Sequence, residues 1–162
     1  MSTAGESDFV RGLGPAYLAH ILRRLSDRLI AGAASAYPDL GVTTPPRATS
    51  TLLILKELGP LPVTVLAKHL RQSHPLVIRW IASLTELGFV EKRSDDEDGR
   101  RSLVALTEKG KREVERVRKA LAVVGDRTLE LIADADAEGV IDALWRIEDA
   151  LDEEAAEARF RR

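Results

Sequence analysis

A charged stretch near the middle of the chain, from Asp95 to Arg101, holds the residues whose types and spacing most suggest chemistry. Four consecutive acids run into Gly99 and two arginines. A calcium-binding loop with Gly99 at its sixth position would need carboxylates at Ser94 and Ala105, so that interpretation fails. The remaining interpretations are a solvated loop without a function, or an arginine held in place by a nearby carboxylate.

An arginine beside an acid at a turn is suited to binding polyanions. A free guanidinium loses side-chain entropy on binding, and a neighbouring carboxylate can hold it in the binding orientation beforehand. Asp98 and Gly99 favour a tight hairpin turn because both residues tolerate positive φ. The sequence therefore predicts strands over Phe89–Arg93 and Ser102–Leu106, joined by a charged turn that carries Arg100.

Composition excludes several other kinds of chemistry. The 162-residue chain has no cysteine, which excludes disulfides, thiolate nucleophiles and cysteine-ligated zinc. The sequence shows no nucleophile–base motif, phosphate-binding glycine loop or metal triad, so we expect no enzyme, no metal site and no cofactor. It also lacks a long apolar run and a signal-peptide pattern, so no membrane association and a cytoplasmic location are expected.

Charge is unevenly distributed along the chain. Between Lys68 and Arg112 there are ten Lys or Arg and seven Asp or Glu, whereas residues 113–162 have eight and fourteen. The middle of the chain therefore suits a polyanionic partner, and the C-terminal part is acidic.

Helices must position the hairpin. Apolar residues recur every four positions from Phe9 to Leu29 and predict an amphipathic helix of about 25–30 residues, which ends at Tyr37–Gly41. Short helices are then expected over Arg47–Leu58, Val63–Leu70 and Pro75–Leu87. A tight break precedes the third of these, which makes this segment a helix-turn-helix candidate.

After the hairpin, the apolar spacing returns to that of a helix. A long helix is expected from Thr107 to Leu131, followed by a break at Asp134–Asp136. A final helix of about twenty residues should begin near Val140. The expected fold is therefore mainly α with one small β-hairpin.

One long motif, LTELGFVEKRSDDEDGRRSLVALTEKGK, runs from Leu84 to Lys111. With the order of the elements, it resembles the MarR (multiple-antibiotic-resistance regulator) family of winged-helix transcriptional regulators. Asp95, Asp98 and Arg100 match the D-x-x-D-x-R pattern of the family's wing, and Leu106–Gly110 matches the exit from its second strand. The resemblance covers nearly the whole chain and implies a winged helix-turn-helix plus a helical dimerisation region.

The resemblance also implies how the chain is organised. A single domain would span residues 1–162, with the winged helix-turn-helix at 47–112 and the dimerisation region at 1–40 and 113–162. A two-fold homodimer would bind a pseudo-palindromic operator. The interface candidates, each of which could instead belong to its own protomer's core, are Phe9, Leu13, Tyr17, Val140, Leu144, Ile147, Leu151 and Phe160.

The resemblance assigns roles in DNA binding. Arg100 would enter the narrow minor groove and Asp98 would orient it, while the second helix of the helix-turn-helix would enter the major groove. The DNA-contact candidates are Lys68, Arg71, Gln72, Ser73, His74, Leu76, Arg79, Asp98, Arg100 and Arg101.

The recognition helix departs from the family pattern. Hydroxyl residues are common where this chain has Pro75, Leu76 and Ile78. Base readout would then depend on His74, Ser73 and apolar contacts to thymine methyl groups. Leu76 and Ile78 could equally be ordinary packing residues.

Two interpretations of function remain open. The resemblance implies a dimeric, sequence-specific DNA-binding regulator, expected to be a repressor relieved by a small aromatic or phenolic ligand near His20, Arg24 and Arg47. The alternative is a winged-helix interaction module or anti-regulator with weak DNA binding, because an acidic wing and an apolar recognition helix oppose DNA binding. Salt-dependent binding to double-stranded DNA would distinguish the two.

Overall fold

The computed structural model describes residues 9–94 and 102–151. They divide into two compact units, with the boundary between Ala120 and Leu121. The elements, in chain order, are α1 (Leu18–Ala36), α2 (Thr49–Leu58), β1 (Leu61–Pro62), α3 (Val63–His69), α4 (His74–Glu86), β2 (Val90–Ser94), β3 (Ser102–Leu106), α5 (Glu108–Asp134) and α6 (Val140–Asp149). None of the described helices is both long and apolar enough to cross a membrane.

The N-terminal helix is shorter than its apolar pattern predicts. α1 has 19 residues, and Phe9–Tyr17 before it forms 3₁₀ turns that are interrupted at Gly14, whose φ is 67° and ψ is −157°. Pro15 has no N–H to donate, and Gly14 lies in a left-handed conformation, so α-helical hydrogen bonding cannot continue through this point. The prediction of one continuous helix from Phe9 is therefore wrong.

The core of the first unit lies between the short helices and the sheet. Leu52 of α2, Leu66 of α3 and Phe89 are almost completely buried there. Val77, Ile81 and Leu84 share the buried face of α4, as their spacing predicts. The opposite face of α4 therefore lies on the surface.

The sheet has three antiparallel strands in the order β1-β3-β2. β2 and β3 pair from Val90 opposite Leu106 to Ser94 opposite Ser102, which confirms the two predicted strands. The turn predicted at Asp98–Gly99 lies outside the described residues.

The third strand, β1, was not predicted from the sequence. Leu61 pairs with Val104 and Pro62 with Leu103 at the other edge of β3. Two residues are too short to show the alternation of a strand, and an edge strand is where proline is tolerated.

A fully buried carboxylate connects α5 to the loop that follows α1. Oε1 of Glu113 accepts hydrogen bonds from the backbone N–H groups of Thr43 (2.7 Å) and Thr44 (2.9 Å), and from the Thr44 hydroxyl at 3.0 Å. Nη1 of Arg116 donates to Oε2 at 3.1 Å. Burial raises the pKa of Glu113, but these hydrogen bonds outweigh burial and hold the pKa below its ordinary value of 4.5.

The second unit contains the end of α5 and α6. α6 has ten residues, so the prediction of a final helix of about twenty residues is wrong. Glu148 and Asp149 lie at its C-terminal end, where negative charge opposes the helix dipole and disfavours extension. Within α6, all of whose residues are described, none is buried.

Candidate nucleic-acid interface

The turn between α3 and α4 contains a strained residue. Arg71 has a φ of 47°, and its N–H donates to the Lys68 carbonyl at 3.2 Å. The N–H of Gln72 reaches the Ala67 carbonyl at 3.1 Å, which completes a helix-ending motif that normally places glycine at the left-handed position. A residue with a side chain costs about 1 kcal/mol more than glycine in this conformation. Such strain is typical of functional positions, and the Arg71 side chain is exposed.

Ser73 forms the N-cap of α4. Its backbone is extended, and its carbonyl accepts hydrogen bonds from the N–H groups of Leu76 at 3.0 Å and Val77 at 3.1 Å. In the described part of the chain, the Ser73 hydroxyl makes no capping hydrogen bond to the helix. An exposed hydroxyl and the positive end of the helix dipole therefore lie together at the surface, where both favour an anion such as phosphate.

The surface of α4 contains most of the predicted base-contacting residues. His74 and Arg79 are exposed, whereas Leu76 is half-buried. Ile78 is 46% exposed, which places it on the surface rather than in the core. The chain therefore presents a cation, an imidazole and an isoleucine on one helix.

Lys68 and Gln72 lie just before this helix. Lys68 is exposed in the last turn of α3, and Gln72 is exposed in the turn. The structure thus brings Lys68, Arg71, Gln72, Ser73, His74 and Arg79 into one short helix-turn-helix segment of the first unit.

A tight junction fixes the C-terminal end of α4. Gly88 has a φ of 73°, and its N–H donates to the Thr85 carbonyl at 2.9 Å. The N–H of Phe89 returns to the Leu84 carbonyl at 2.9 Å. This pair of bonds ends the helix and leads the chain directly into β2.

The Leu106–Gly110 motif closes the same junction from the other side. The Thr107 hydroxyl donates to the Gly88 carbonyl at 2.7 Å and accepts the N–H of Gly110 at 3.0 Å, which caps α5. Lys109 Nζ donates to the Leu87 carbonyl at 2.7 Å and lies 5.1 Å from the centre of the Phe89 ring.

Gly110 is required at this junction for steric reasons. A Cβ atom added to it would lie 2.0 Å from the Phe89 carbonyl oxygen. The motif therefore fixes the end of α4, the two strands and the start of α5 together, which sets the position of α4 relative to the β-hairpin.

The strands of the hairpin carry further basic residues. Lys92 is exposed on β2, and Arg93 Nε donates to Oε1 of Glu91 at 2.7 Å. Asp95, Asp98, Arg100 and Arg101 lie outside the described residues, so their roles remain predictions.

The predicted ligand contacts lie on and beside α1. His20 and Arg24 are half-buried one helical turn apart, and the His20 ring lies 6.3 Å from that of Tyr17, edge to face. Arg47 Nη2 donates to Oδ1 of Asp27 at 2.6 Å, and both side chains are about half exposed. A role of these residues in ligand binding remains a prediction.

A separate open cavity lies at the other end of α1. It has a volume of about 470 Å³ and is lined by apolar side chains and the loop that Glu113 holds, including Tyr37, Val42 and Thr44. Burial raises the pKa of Tyr37, and a hydrogen bond with Thr49 lowers it by less. None of the three predicted ligand contacts lines this cavity.

Metal binding finds no support in the described ranges. There, no group of three His, Asp or Glu side chains is close enough together to hold a metal ion.

The chain is similar to known proteins in both sequence and fold. The sequence model of the MarR family matches residues 40–101, which confirms the predicted resemblance. The match contains the described segment from α2 to β2. The family consists of transcriptional regulators and not of enzymes, as the sequence predicts. None of the curated proteins matches the chain.

Solved structures extend the similarity over most of the chain. A probable transcriptional regulator from Pseudomonas aeruginosa is 25% identical, with a TM-score of 0.69 over 80% of this chain and 96% of its own. BpsR from Bordetella bronchiseptica, whose DNA binding is regulated by 6-hydroxynicotinic acid, is 23% identical, with a TM-score of 0.69 over 90% and 99% of the two chains. The repressor CouR, bound to a 23-mer DNA duplex, is 20% identical, with a TM-score of 0.72 over 90% and 99%.

Proposed function

From the match of residues 40–101 to the MarR family, we propose that the chain is a dimeric, sequence-specific DNA-binding repressor. The observation that carries this proposal is the surface from α3 to α4. Ser73, His74 and Arg79 are exposed there, next to Arg71 in a strained backbone conformation. In this proposal α4 enters the major groove of an operator, as recognition helices of helix-turn-helix proteins do.

The structural relative CouR is a repressor bound to a DNA duplex. The similarity in fold supports DNA binding by this chain, and the exposed basic side chains would contact the DNA. Lys68 and Arg71 would contact phosphates, which fixes the register of the helix but carries no sequence information. His74 and Arg79 would reach base edges from the first turns of α4. Arg100 and Asp98 are proposed to act in the minor groove, as the sequence motif implies.

Dimerisation is proposed from apolar faces that each unit leaves exposed. On α1, Leu18, Ile21, Leu25 and Leu29 follow one another along the helix and are 40–44% exposed. On α6, a second exposed stripe is formed by Ile141, Leu144 and Ile147. A monomer rarely leaves long apolar stripes in water, so a second copy of the chain is proposed to cover both of them.

A small aromatic acid is proposed to relieve repression. BpsR responds to 6-hydroxynicotinic acid, which carries a carboxylate on an aromatic ring. In this proposal Arg47 releases Asp27, its present partner, and binds the carboxylate of the ligand instead. That exchange would break a link between α1 and the start of the helix-turn-helix, which gives ligand binding a route to the DNA-binding segment.

The proposal is tested by DNA-binding measurements on matched variants. A duplex recovered by in vitro selection from a random pool serves as operator, and fluorescence anisotropy gives its dissociation constant. Arg79→Ala should weaken binding by about 1–3 kcal/mol, the range expected for a specific base contact. Lys119→Ala removes the same charge from an exposed position on α5 and should have little effect.

A second candidate is an interaction module that binds DNA weakly. The observation in its favour is the apolar centre of the α4 surface, where Ile78 is exposed. This candidate predicts that no duplex is enriched from the random pool. It also predicts that Arg79→Ala and Lys119→Ala have equal effects on weak, non-specific binding.

A further inference from the structure

The surface of α4 has an unusual centre for a helix proposed to enter the major groove. Pro75, Ile78 and Ala82 are exposed and follow one another at spacings of three and four residues. They therefore form one apolar stripe, which polar residues flank. None of the three side chains can donate or accept a hydrogen bond.

Ile78 is the prominent residue of this stripe. Its side chain is 46% exposed, while its neighbour Val77 is fully buried in the core. The buried face of α4 therefore fixes the direction in which Ile78 points. A β-branched side chain in a helix has one strongly preferred rotamer, so it presents the same apolar surface with little loss of entropy on binding.

The major groove offers one natural partner for such a side chain. Of the four bases, only thymine presents a methyl group there, whereas the other edges are dominated by hydrogen-bond donors and acceptors. A guanine or cytosine edge against Ile78 would lose water without gaining a hydrogen bond, which disfavours it. Contact with a thymine methyl buries apolar surface on both sides.

We propose that Ile78 is a specificity-determining residue that selects thymine by its 5-methyl group. Each operator half-site then carries thymine at the base pair that faces the second turn of α4. This inference rests on the proposed function, because it requires α4 to lie in the major groove. Arg79 and His74 supply the polar contacts on either side of the apolar stripe.

The test removes the methyl group from the DNA without changing its base pairing. In the duplex recovered by in vitro selection, each thymine is replaced in turn by deoxyuridine, and anisotropy gives the dissociation constant for each duplex. Wild-type protein should lose roughly fourfold in affinity at one symmetric position and little elsewhere, as expected for one buried methyl group.

The variant Ile78→Ala completes the cycle. It should bind the thymine duplex more weakly than wild type does, and should no longer distinguish thymine from deoxyuridine at that position. Ile78→Val keeps the branched apolar surface and should keep most of the discrimination. Because Ile78 is exposed, both variants should unfold within a few degrees of wild type, and thermal unfolding checks this.

Two results would overturn the inference and leave the proposed function intact. In one, wild type prefers the selected duplex but every deoxyuridine duplex binds equally well. In the other, Ile78→Ala is as sensitive to the missing methyl group as wild type is. A random pool that yields no preferred duplex would overturn the inference together with the proposed function.

Discussion

The two units of the chain differ in how completely their side chains are buried. In the first unit, the core is buried, and the Glu113 carboxylate receives hydrogen bonds at both oxygens. In the second unit, α6 has no buried residue among its ten, and Trp145 is 61% exposed. A ten-residue helix is marginal in water without packing. The first unit therefore has a buried core of its own, whereas we propose that the second is stabilised by contacts with a second copy of the chain.

The largest effect should come from the junction of the first unit. In Gly110→Ala, the new methyl group would lie 2.0 Å from the Phe89 carbonyl oxygen, so the backbone must move apart. We expect the free energy of unfolding to fall by about 3 kcal/mol or more, because overpacking at a backbone atom cannot relax through a side chain. Chemical denaturation of wild type and variant measures this fall in the free energy of unfolding.

Gly125→Ala is the matched control on the same helix. In the described part of the chain, no atom outside the adjacent backbone of its own helix lies within 4 Å of the added Cβ, so this variant should gain up to about 1 kcal/mol from helix propensity. Equal stability of the two variants would contradict the packing described for Gly110.

The next effect should come from the buried carboxylate. Glu113→Gln removes the charge that four Thr43 and Thr44 donors share and should lower the free energy of unfolding by about 2 kcal/mol. Glu115→Gln, at an exposed position on the same helix, should cost far less.

The same site gives a dependence on pH. The pKa of Glu113 is lower in the folded state than its ordinary value of 4.5, so its contribution is complete above pH 4.5 and is lost as the pH falls through the folded pKa. Unfolding of wild type and Glu113→Gln between pH 3 and 7 should therefore converge at the acid end. A constant difference between them over this range would contradict the lowered pKa.

The second unit should respond through assembly rather than folding. Leu144→Asp places a charge on the exposed apolar stripe of α6 and should raise the dimer dissociation constant by about thirtyfold or more. Analytical ultracentrifugation measures this, and the first unit should remain folded. Arg146→Asp, elsewhere on α6, is the control; an equal shift in both variants, or in neither, would remove this stripe from the interface.

The smallest effect should come from the strained turn. Arg71→Gly relieves a left-handed backbone and should stabilise the protein by up to about 1 kcal/mol. It should also weaken DNA binding and reduce the salt dependence by about one phosphate contact. Stabilisation without any change in the salt dependence would remove Arg71 from the DNA surface.

The sequence predicts the features that are encoded locally. The spacing of Val77, Ile81 and Leu84 identifies the buried face of α4, and the motif from Leu106 to Gly110 marks the junction before its contacts are known. The pairing of β2 with β3 follows from two short strands around a turn signal.

Other features depend on contacts between distant residues. Glu113 accepts hydrogen bonds from two threonines that lie 69 and 70 positions earlier in the chain. Its local sequence does not distinguish it from the exposed acidic residues of α5. The left-handed conformation of Arg71 is equally hidden, because glycine is the residue that signals it. The prediction of one continuous helix from Phe9 fails for a different reason. The apolar spacing continues past Gly14 and Pro15, although these two residues interrupt the helix.

The central claim, that the first unit binds a specific DNA sequence, is tested most directly by a titration at several salt concentrations. Wild-type protein would be titrated against the selected duplex and a scrambled duplex of the same composition. The logarithm of the binding constant should fall steeply and linearly with the logarithm of the salt concentration. The protein should also prefer the selected duplex by about a thousandfold. Weak and equal binding to both duplexes would contradict the claim.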